Sequence, residues 1–387
     1  MLKIVCAATA WLALLSTALA QEPIKVGIVT PLSGTYAGIG QTLRRGFELA
    51  AREINDSGGA MGRRIELLFE DEEASPPIAV QKAEKLFQVS HVDFLSGTVH
   101  SGSSLAVAQV AERNGKLAST TVSYADSITG ERCSPAMFRV NARAEQQSIA
   151  LASWVAKTKP KARVLYIGPD YEMGRSSVAA FKKQAEKNGL VSVGEVYAPL
   201  DTKDYTQFFG QVRIGRPEVI YLAVAGNDTV RLFSQMQEFG LLKGVLVVGA
   251  GGTLNETNLG AIGAAAEGFV TGTGYSPQLD LPENKRFVSA YRAAYNSEPD
   301  SFAADSYGML YAYKIAVEKA KSTETDKVRR ALRGLTWSTP QGEKTIRAGD
   351  HQAIQDMYIV AVRKGQFEVI AKIAGPDAIG PNVCTRF

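Results

Sequence analysis

Short apolar runs and amphipathic segments alternate along most of the chain. The runs at residues 24–29 and 163–167 have strand length, and each ends at a loop that contains proline, tyrosine and glycine. Segments of helical period follow them, through residues 44–55 and 181–187. This repeated order of strand, loop and helix predicts parallel strands joined by crossover helices.

The order recurs in both halves of the chain. "VDFLS", "GTVHSGSS" and "KLAST" follow in the first half, and "EVIYLAVA", "GNDTV" and "GVLVVGAGG" in the second. We therefore predict an α/β fold of two doubly wound parallel-sheet lobes. Ligands of such sheets bind beyond the carboxyl ends of the strands, so a cleft is expected between the lobes. The loops expected to line it are residues 31–40, 97–104, 119–127, 169–175, 225–229 and 249–253.

The last hundred residues complicate a division into two consecutive domains. Residues 283–320 have a helical pattern that breaks at Pro299, and residues 355–373 read as a strand hairpin that turns at Lys364 and Gly365. Each half of the chain is short of strands without them. We therefore expect these segments to complete lobes begun earlier, through several hinge crossings.

Residues 1–20 have the pattern of a secretory signal peptide. Lys3 precedes a short apolar stretch, and Ala18-Leu19-Ala20 predicts cleavage after Ala20. Cys6 precedes the apolar stretch instead of lying at the cleavage point, which argues against a lipid anchor. No later run reaches the roughly 18 apolar residues of a membrane helix. The mature chain is expected to be periplasmic and soluble.

Charge and motifs exclude several classes of protein. The net charge of +4 is spread without a basic stripe, which gives no reason to expect nucleic acid as a partner. The chain has no G-x-x-x-x-G-K-[ST] loop of an ATPase, and "GAGG" at 249–252 lacks dinucleotide-loop spacing. We expect neither a metal nor a cofactor, because the histidines are scattered at His91, His100 and His351.

Two cysteines, Cys133 and Cys384, remain in the mature chain. An oxidising compartment permits them to form a disulfide, which would tie the last residues to a loop near the middle of the chain. The alternative is two unpaired, partly buried thiols.

The loop "GTVHSGSS" at residues 97–104 ends a strand and opens a helix. Unpaired N–H groups and the helix dipole favour an anion there, with Ser101 as its ligand. Ser101 could instead cap the helix, as could Ser103 or Ser104. His100 could donate to a carboxylate. A hydrolase using Ser101 and His100 is a further alternative, although no G-x-S-x-G surrounds the serine.

We interpret the acidic run at residues 70–73 as a solvated turn.

Several long stretches resemble one family. "IKVGIVTPLSGTYAGIGQTLRRGFELAAREINDSGGAMGRRIELLFEDE", "CSPAMFRV", "GPDYEMGRS" and "YSPQLDLPENKRFVSAYRAAYNSEPDSFAADSYG" are similar to exported solute-binding proteins of the branched-chain amino acid ABC-transporter type, with the type I periplasmic binding fold. The resemblance covers essentially the whole mature chain. It implies a monomer that closes on a small molecule and delivers it to a membrane permease, without catalysis.

The family fold implies two lobes joined by three hinge crossovers. By this resemblance, residues 21–143 and 277–345 form lobe 1, and residues 144–276 and 346–387 form lobe 2.

The resemblance also places the ligand site. In family members that bind amino acids, the carboxylate meets a serine and backbone N–H groups, and an acidic side chain meets the ammonium. Here Gly251 stands where the acid is expected, and Ala225 or Gly226 stands where an aromatic residue is expected. The predicted ligand-binding residues are Tyr36, His100, Ser101, Val122, Ser123, Tyr124, Tyr171, Met173, Gly226, Gly251 and Tyr275.

This set of residues favours an aromatic carboxylate as the ligand, such as a benzoate derivative or a phenolic acid. A buried ammonium without a counter-charge costs several kcal/mol, while tyrosine rings suit a phenyl group with polar substituents. Glu256 and Asp228 could supply the missing charge if their loops bend inward. A branched-chain or other aliphatic amino acid therefore remains the alternative ligand, and a periplasmic ligand-sensing domain is the alternative class of protein.

Overall fold

The computed structural model describes residues 22–387; the predicted signal peptide and its cleavage point lie outside them. The first sheet is parallel, with the strand order β2-β1-β3-β4-β5. Its strands are β1 (Ile24–Thr30), β2 (Ile65–Asp71), β3 (Phe94–Gly97), β4 (Leu117–Thr120) and β5 (Met137–Arg139). The helices that connect them are α1 (Ala37–Asp56), α2 (Pro76–Gln88) and α3 (Ser101–Arg113).

The second sheet has seven strands in the order β15-β14-β10-β9-β8-β6-β7. Five of them are parallel, and the predicted hairpin, β14 and β15, adds to the edge in antiparallel pairing. The strands are β6 (Arg163–Pro169), β7 (Val191–Ala198), β8 (Val219–Leu222), β9 (Leu246–Ala250), β10 (Val270–Thr273), β14 (Met357–Arg363) and β15 (Gln366–Ile373). The helices of this part are α4 (Ala144–Thr158), α5 (Glu172–Lys187), α6 (Phe209–Gly215), α7 (Asn227–Glu238) and α8 (Leu259–Ile262).

A third, small antiparallel sheet completes the first lobe. Helix α10 packs along α1, and Gln352 forms a bridge with Arg139 at the end of β5. The elements are α9 (Pro282–Tyr295), α10 (Ser301–Ala320), α11 (Thr325–Leu332), β11 (Thr336–Thr339), β12 (Gly342–Ile346) and β13 (Ala353–Ile354). The predicted helical break at Pro299 is confirmed, because it lies between α9 and α10.

The spacing of apolar residues explains how the helices pack against the sheets. In α1, the residues at intervals of three and four are fully or almost fully buried, so one stripe of the helix faces the first core. That stripe consists of Ile39, Leu43, Phe47, Ala50 and Ile54.

Among residues 22–387, no helix combines the length and the apolar character that crossing a bilayer takes.

The chain passes between the two large sheets three times, at residues 139–144, 273–282 and 354–357. The predicted lobe limits at 143/144 and 276/277 fall inside the first two connections. The limit at 345/346 falls before β13, which still pairs with β12. Below, "first lobe" means the five-stranded sheet with the small sheet and their helices, and "second lobe" means the seven-stranded sheet with its helices.

The C-terminal tail makes a fourth connection between the lobes. After β15, the short helix α12 (Gly375–Ala378) packs against α4 of the second lobe. The chain then returns to the first lobe, where Cys384 is joined to Cys133 by a disulfide. Arg386 pairs with Glu112 at 2.7 Å, and the ring of Phe387 stacks on His351 with centroids 4.3 Å apart. The tail is thus covalently attached to the lobe opposite the strand from which it departs.

Candidate functional site

The carboxyl ends of the parallel strands of both lobes face each other across a closed cleft. A small cavity at its centre is lined by the loops that follow these strands and by the first turns of the helices beyond. The first lobe contributes Tyr36, Ile39, Val99, Val122, Tyr124 and Phe302, and the second contributes Tyr171, Met173 and Ala225. The cavity wall contains four aromatic rings and no charged side chain.

Direct hydrogen bonds hold the two lobes together around this cavity. The hydroxyl groups of Tyr36 and Tyr171 lie 2.8 Å apart, and the backbone N–H of Asn227 donates to the carbonyl of Thr35. Further bonds across the cleft join Thr35 Oγ1 to Asp201, Asp126 N to Ser176 Oγ, and Ser127 Oγ to Glu172. The protein is therefore in a closed conformation.

The closed cavity is smaller than a ligand pocket. Its volume is about 20 Å³, whereas small-molecule pockets usually measure roughly 300–1,000 Å³. A ligand with a six-membered ring therefore requires the lobes to separate or the central side chains to shift. This agrees with a cleft that opens to admit its ligand.

Tyr36 and Tyr171 have equivalent positions in the two lobes. Each follows the first strand of its sheet and immediately precedes a helix, α1 and α5 respectively. Burial raises the pKa of both hydroxyl groups well above the usual value, and their mutual interaction contributes to the shift of Tyr36. Both phenols are thus protonated and can donate hydrogen bonds at neutral pH.

An acidic side chain lies beside the N-terminus of α3, and it belongs to the protein itself. The fully buried carboxylate of Glu72 accepts a hydrogen bond of 2.7 Å from Val99 N. The interpretation of the acidic run as a solvated turn is therefore wrong for Glu72, because the loop after β2 folds beneath α3. Burial raises the pKa of Glu72 to about 7, although the hydrogen bond from Val99 N opposes the shift.

Glu72→Gln is expected to be more stable than wild type at pH 8. At pH 5 the difference between the two proteins should be much smaller. The pKa of Glu72 rises from 4.5 in the unfolded chain to about 7 in the folded one, so wild-type stability is lost as pH increases through this range. Glutamine carries no such penalty and still accepts from Val99. The gain at pH 8 is at most about 3 kcal/mol, measured as the free energy of unfolding in urea.

The matched control is Glu73→Gln on the exposed neighbour of Glu72. We expect its difference from wild type to be the same at pH 5 and pH 8. An equal pH response in both variants would contradict a special environment of Glu72.

His100 and Ser101 lie next to the cavity and are engaged locally. His100 caps α3, because its Nδ1 accepts from Gly102 N at 3.1 Å, so the alternatives of Ser101, Ser103 and Ser104 as caps are wrong. The imidazole ring stacks on Tyr171 with centroids 4.2 Å apart, and burial lowers its pKa to about 4. Ser101 is fully buried and its Oγ accepts from Ala125 N at 3.3 Å.

Ser123 and Gly226 have roles that differ from direct lining of the cavity. The Ser123 hydroxyl donates to the carbonyl groups of Thr98 and Val99 within the first lobe. Gly226 lies against the other lobe, where a Cβ atom would be 2.9 Å from Cδ1 of Tyr36 and 2.4 Å from the carbonyl oxygen of Thr35. Its lack of a side chain permits closure.

Gly251 and Tyr275 line a second cavity, which also contains Glu256 and Ser301. Gly251 donates its N–H to Gln147 of α4 at 2.8 Å. Tyr275 is buried, and its hydroxyl group has no hydrogen-bond partner within residues 22–387. The sequence prediction placed these two residues in the same site as Tyr36, whereas the structure separates them from it.

Gly252 and Phe302 form the wall between the two cavities. A Cβ atom at Gly252 would lie 3.0 Å from Cε2 of Tyr124 and 3.1 Å from Cζ of Phe302. Gly251 and Ser301, which line the second cavity, directly precede them in the chain. The two cavities are therefore neighbours.

Ile39, Val99 and Phe302 line the first cavity and were absent from the prediction. Ile39 follows Tyr36 by three positions, so the helical period of α1 could have identified it. Val99 lies in the loop that was predicted to line the cleft. Phe302 belongs to α10, far along the chain, and nothing in its local sequence indicates that its helix begins at the cleft.

Comparison with known proteins identifies the family. The sequence profile of the periplasmic binding protein family matches residues 23–366, so the chain belongs to this family. The Leu/Ile/Val-binding protein BraC3 of Rhizobium johnstonii is 28% identical over 79% of this chain and 82% of its own.

Solved structures resemble the fold over nearly the whole described chain. A solute-binding protein of an ABC transporter from Rhodopseudomonas palustris BisB5, in complex with 3,4-dihydroxybenzoic acid, has a TM-score of 0.84 and 26% identity, covering 92% of this chain and 98% of its own. Another from R. palustris, in complex with benzoate, has a TM-score of 0.85 and 26% identity, covering 91% and 97%. The predicted fold class is confirmed: the chain has the type I periplasmic binding fold and is an ABC-transporter solute-binding protein.

Proposed function

We propose that this protein captures an aromatic carboxylate, such as a benzoate derivative or a phenolic acid, for an ABC importer. The single observation that carries the proposal is the composition of the central cavity, where four aromatic rings and aliphatic side chains are accompanied by no acid for an ammonium group. Rings of Tyr and Phe suit a flat apolar ligand, and the tyrosine hydroxyl groups suit its polar substituents. Two structural neighbours are complexes with benzoate and 3,4-dihydroxybenzoic acid.

The mechanism is hinge closure. The open protein binds the ligand to one lobe, and contacts from both lobes then stabilise the closed form. Tyr36 and Tyr171 both line the central cavity and join the lobes through their hydroxyl groups, so closure and ligand contact are coupled. The membrane permease recognises the closed form.

The protein acts as a periplasmic monomer, exported by a signal peptide cleaved after Ala20. It needs no cofactor and does not bind nucleic acid.

An aliphatic amino acid is the second candidate ligand. Leu/Ile/Val-binding proteins are among the relatives, and Glu256 lines the neighbouring cavity. If the wall formed by Gly252 and Phe302 shifts, this carboxyl group could reach an ammonium group. Burial raises the pKa of Glu256 to about 8, with a contribution from Asp300, and an ammonium partner would lower it again.

Titration calorimetry separates the two ligand classes. We expect 4-hydroxybenzoate, benzoate or 3,4-dihydroxybenzoate to bind with a dissociation constant in the micromolar range or below, and leucine, isoleucine and valine to bind at least 100-fold more weakly. At 100 times the dissociation constant, the acid should stabilise the protein by about 2.7 kcal/mol. Binding of leucine without binding of any aromatic acid would reverse the assignment.

Tyr171→Ala is the variant that connects this binding to the cavity. It removes one ring and the hydrogen bond to Tyr36, so aromatic-acid binding should be lost. The matched control is Tyr295→Ala on α9, away from the cavity, where a half-buried tyrosine donates to Arg45 O. Equal loss in both variants would contradict the proposed site.

A further inference from the structure

Arg139 is a buried cation whose hydrogen-bond partners are all neutral. It ends β5 and has no exposed surface. Its Nε donates to Gln352 Oε1 at 2.6 Å, and its Nη1 donates to the carbonyl groups of Ser123 at 3.3 Å and Ala125 at 2.6 Å. Its Nη2 donates to Thr129 Oγ1. Among residues 22–387, no carboxylate oxygen lies within 4.0 Å of this guanidinium group.

Burying such a charge without a contacting counter-ion is costly. Burial lowers the pKa of Arg139 to about 9, and Arg143 acts in the same direction, whereas Asp126 and Asp350 oppose the shift. Both acids have other partners: Asp126 lies 3.8 Å from Arg143 Nε, and Asp350 pairs with Arg347. Arg139 therefore remains positively charged at neutral pH, and its charge is not cancelled locally.

One of the peptide groups held by Arg139 belongs to the ligand site. The carbonyl oxygen of Ser123 accepts from Arg139 and from Asn141 Nδ2, the latter at 3.1 Å. The peptide bond is trans, so the N–H of Tyr124 points in the opposite direction, away from the guanidinium group. Within residues 22–387, nothing accepts a hydrogen bond from this N–H, and the Tyr124 side chain lines the central cavity.

The second peptide group held by Arg139 connects the two lobes. Ala125 donates its N–H to Ser101, and its carbonyl oxygen accepts from Arg139. The next amide, Asp126 N, donates to Ser176 Oγ of α5 in the second lobe at 2.9 Å. A single guanidinium group thus holds the peptide group that precedes Tyr124, whose ring lines the central cavity, and the next peptide group, whose N–H bonds across the closing interface.

We propose that Arg139 is a positioning residue that gives this site its preference for a negatively charged ligand end. It orients and polarises the N–H of Tyr124, and its own charge lies behind the loop on which an anion would bind. A carboxylate gains from this arrangement and an uncharged amide of the same shape does not. The inference rests on the proposed function only for the identity of the aromatic probe.

Gln352→Glu tests the role of the charge while leaving Arg139 in place. Glutamate has almost the same size as glutamine and still accepts from Arg139 Nε, but it places a negative charge at 2.6 Å from the guanidinium group. The cost is the loss of the donations from Gln352 Nε2 to Asn141 O and Ala353 O.

Gln146→Glu is the matched control. Gln146 is also fully buried, and its Nε2 also donates to Ala353 O, but its Oε1 accepts from the backbone N–H of Arg143 and not from Arg139. The substitution therefore introduces the same charge and removes a similar hydrogen bond without neutralising Arg139.

The measured quantity is the ratio of dissociation constants for an amide and its acid, determined by calorimetry with 4-hydroxybenzamide and 4-hydroxybenzoate. We expect this ratio to fall at least tenfold in Gln352→Glu and less than threefold in Gln146→Glu. Arg139→Lys should retain the preference for the acid even if both probes bind more weakly, whereas Arg139→Met should lose it. A merely structural role would weaken both probes equally, and an unchanged ratio in Gln352→Glu overturns the proposal.

Two further pairs of probes separate this inference from the proposed cargo. Leucine and leucinamide, and formate and formamide, present the same carboxylate and amide ends without an aromatic ring. If only these pairs show the tenfold change, the aromatic cargo is wrong and the role of Arg139 stands. If wild type prefers the acid in none of the three pairs, the role of Arg139 is wrong.

Discussion

Gly226→Ala is expected to weaken ligand binding by about 100-fold or more, equivalent to about 2.7 kcal/mol. A Cβ atom at this position would lie 2.4 Å from the backbone carbonyl oxygen of Thr35 in the other lobe, and a backbone atom cannot move aside as a side-chain end can. The lobes would therefore stop short of the closed position, and the ligand would be held by one lobe alone. Calorimetry with 4-hydroxybenzoate or another bound solute measures the loss.

Gly240→Ala is the control for backbone strain. Gly226 and Gly240 both have a positive φ, of 62° and 71°, but a Cβ atom at Gly240 would meet nothing within 4 Å. Both variants should lose about 1 kcal/mol of folding stability, and only Gly226→Ala should lose affinity. In small-angle scattering, Gly226→Ala should keep the larger radius of gyration of the open form when ligand is added. Full closure in this variant would contradict the explanation.

Replacing Cys133 and Cys384 together by serine is expected to reduce the free energy of unfolding by about 5 kcal/mol. The disulfide joins residues 251 positions apart, so it closes a very long loop and restricts the unfolded chain strongly. For a protein of this size, the loss corresponds to a decrease in melting temperature on the order of 10 °C. Scanning calorimetry of the variant and of wild type, without reductant, measures it.

Arg386→Ala provides the comparison for the tail. It removes the exposed ion pair with Glu112 and leaves the disulfide intact, so its effect should stay below about 1 kcal/mol. The cysteine variant should also have a larger radius of gyration without ligand, because the tail no longer holds the second lobe to the first. A melting temperature equal to that of wild type would contradict a stabilising disulfide.

The lobes and the cleft loops could be predicted from the sequence, because they depend on the periodicity of neighbouring residues. The alternation of apolar strands and amphipathic helices predicted two α/β lobes, and the loops that follow the strands predicted where the cleft lies. Tyr36 and Tyr171 were identified because each lies in a loop between a strand and the following helix, in stretches that resemble the family. Both line the central cavity, since the carboxyl ends of parallel strands lie at one edge of a sheet.

Residues joined by long-range contacts were predicted less well. Glu72 looked like part of a solvated acidic turn, and only the packing of its loop beneath α3 makes it a buried acceptor for Val99 N. Tyr275 and Gly251 follow strands of the same sheet, yet they line a neighbouring cavity, because Gly252 and Phe302 separate the two spaces. The side chain of a loop residue can face either cavity, and periodicity does not determine which.

The sequence by itself determined the α/β class, the strand and helix order, the loops of the cleft and the aromatic character of the central cavity. Tertiary structure decided that Glu72 lies buried beside the start of α3, that Arg139 lies behind the loop that carries Tyr124, and that the tail crosses back to the first lobe. The physical reason is that strands and helices follow from contacts between near neighbours. The environment of a buried charge depends instead on which distant segments pack around it, and this is set only when the whole chain has folded.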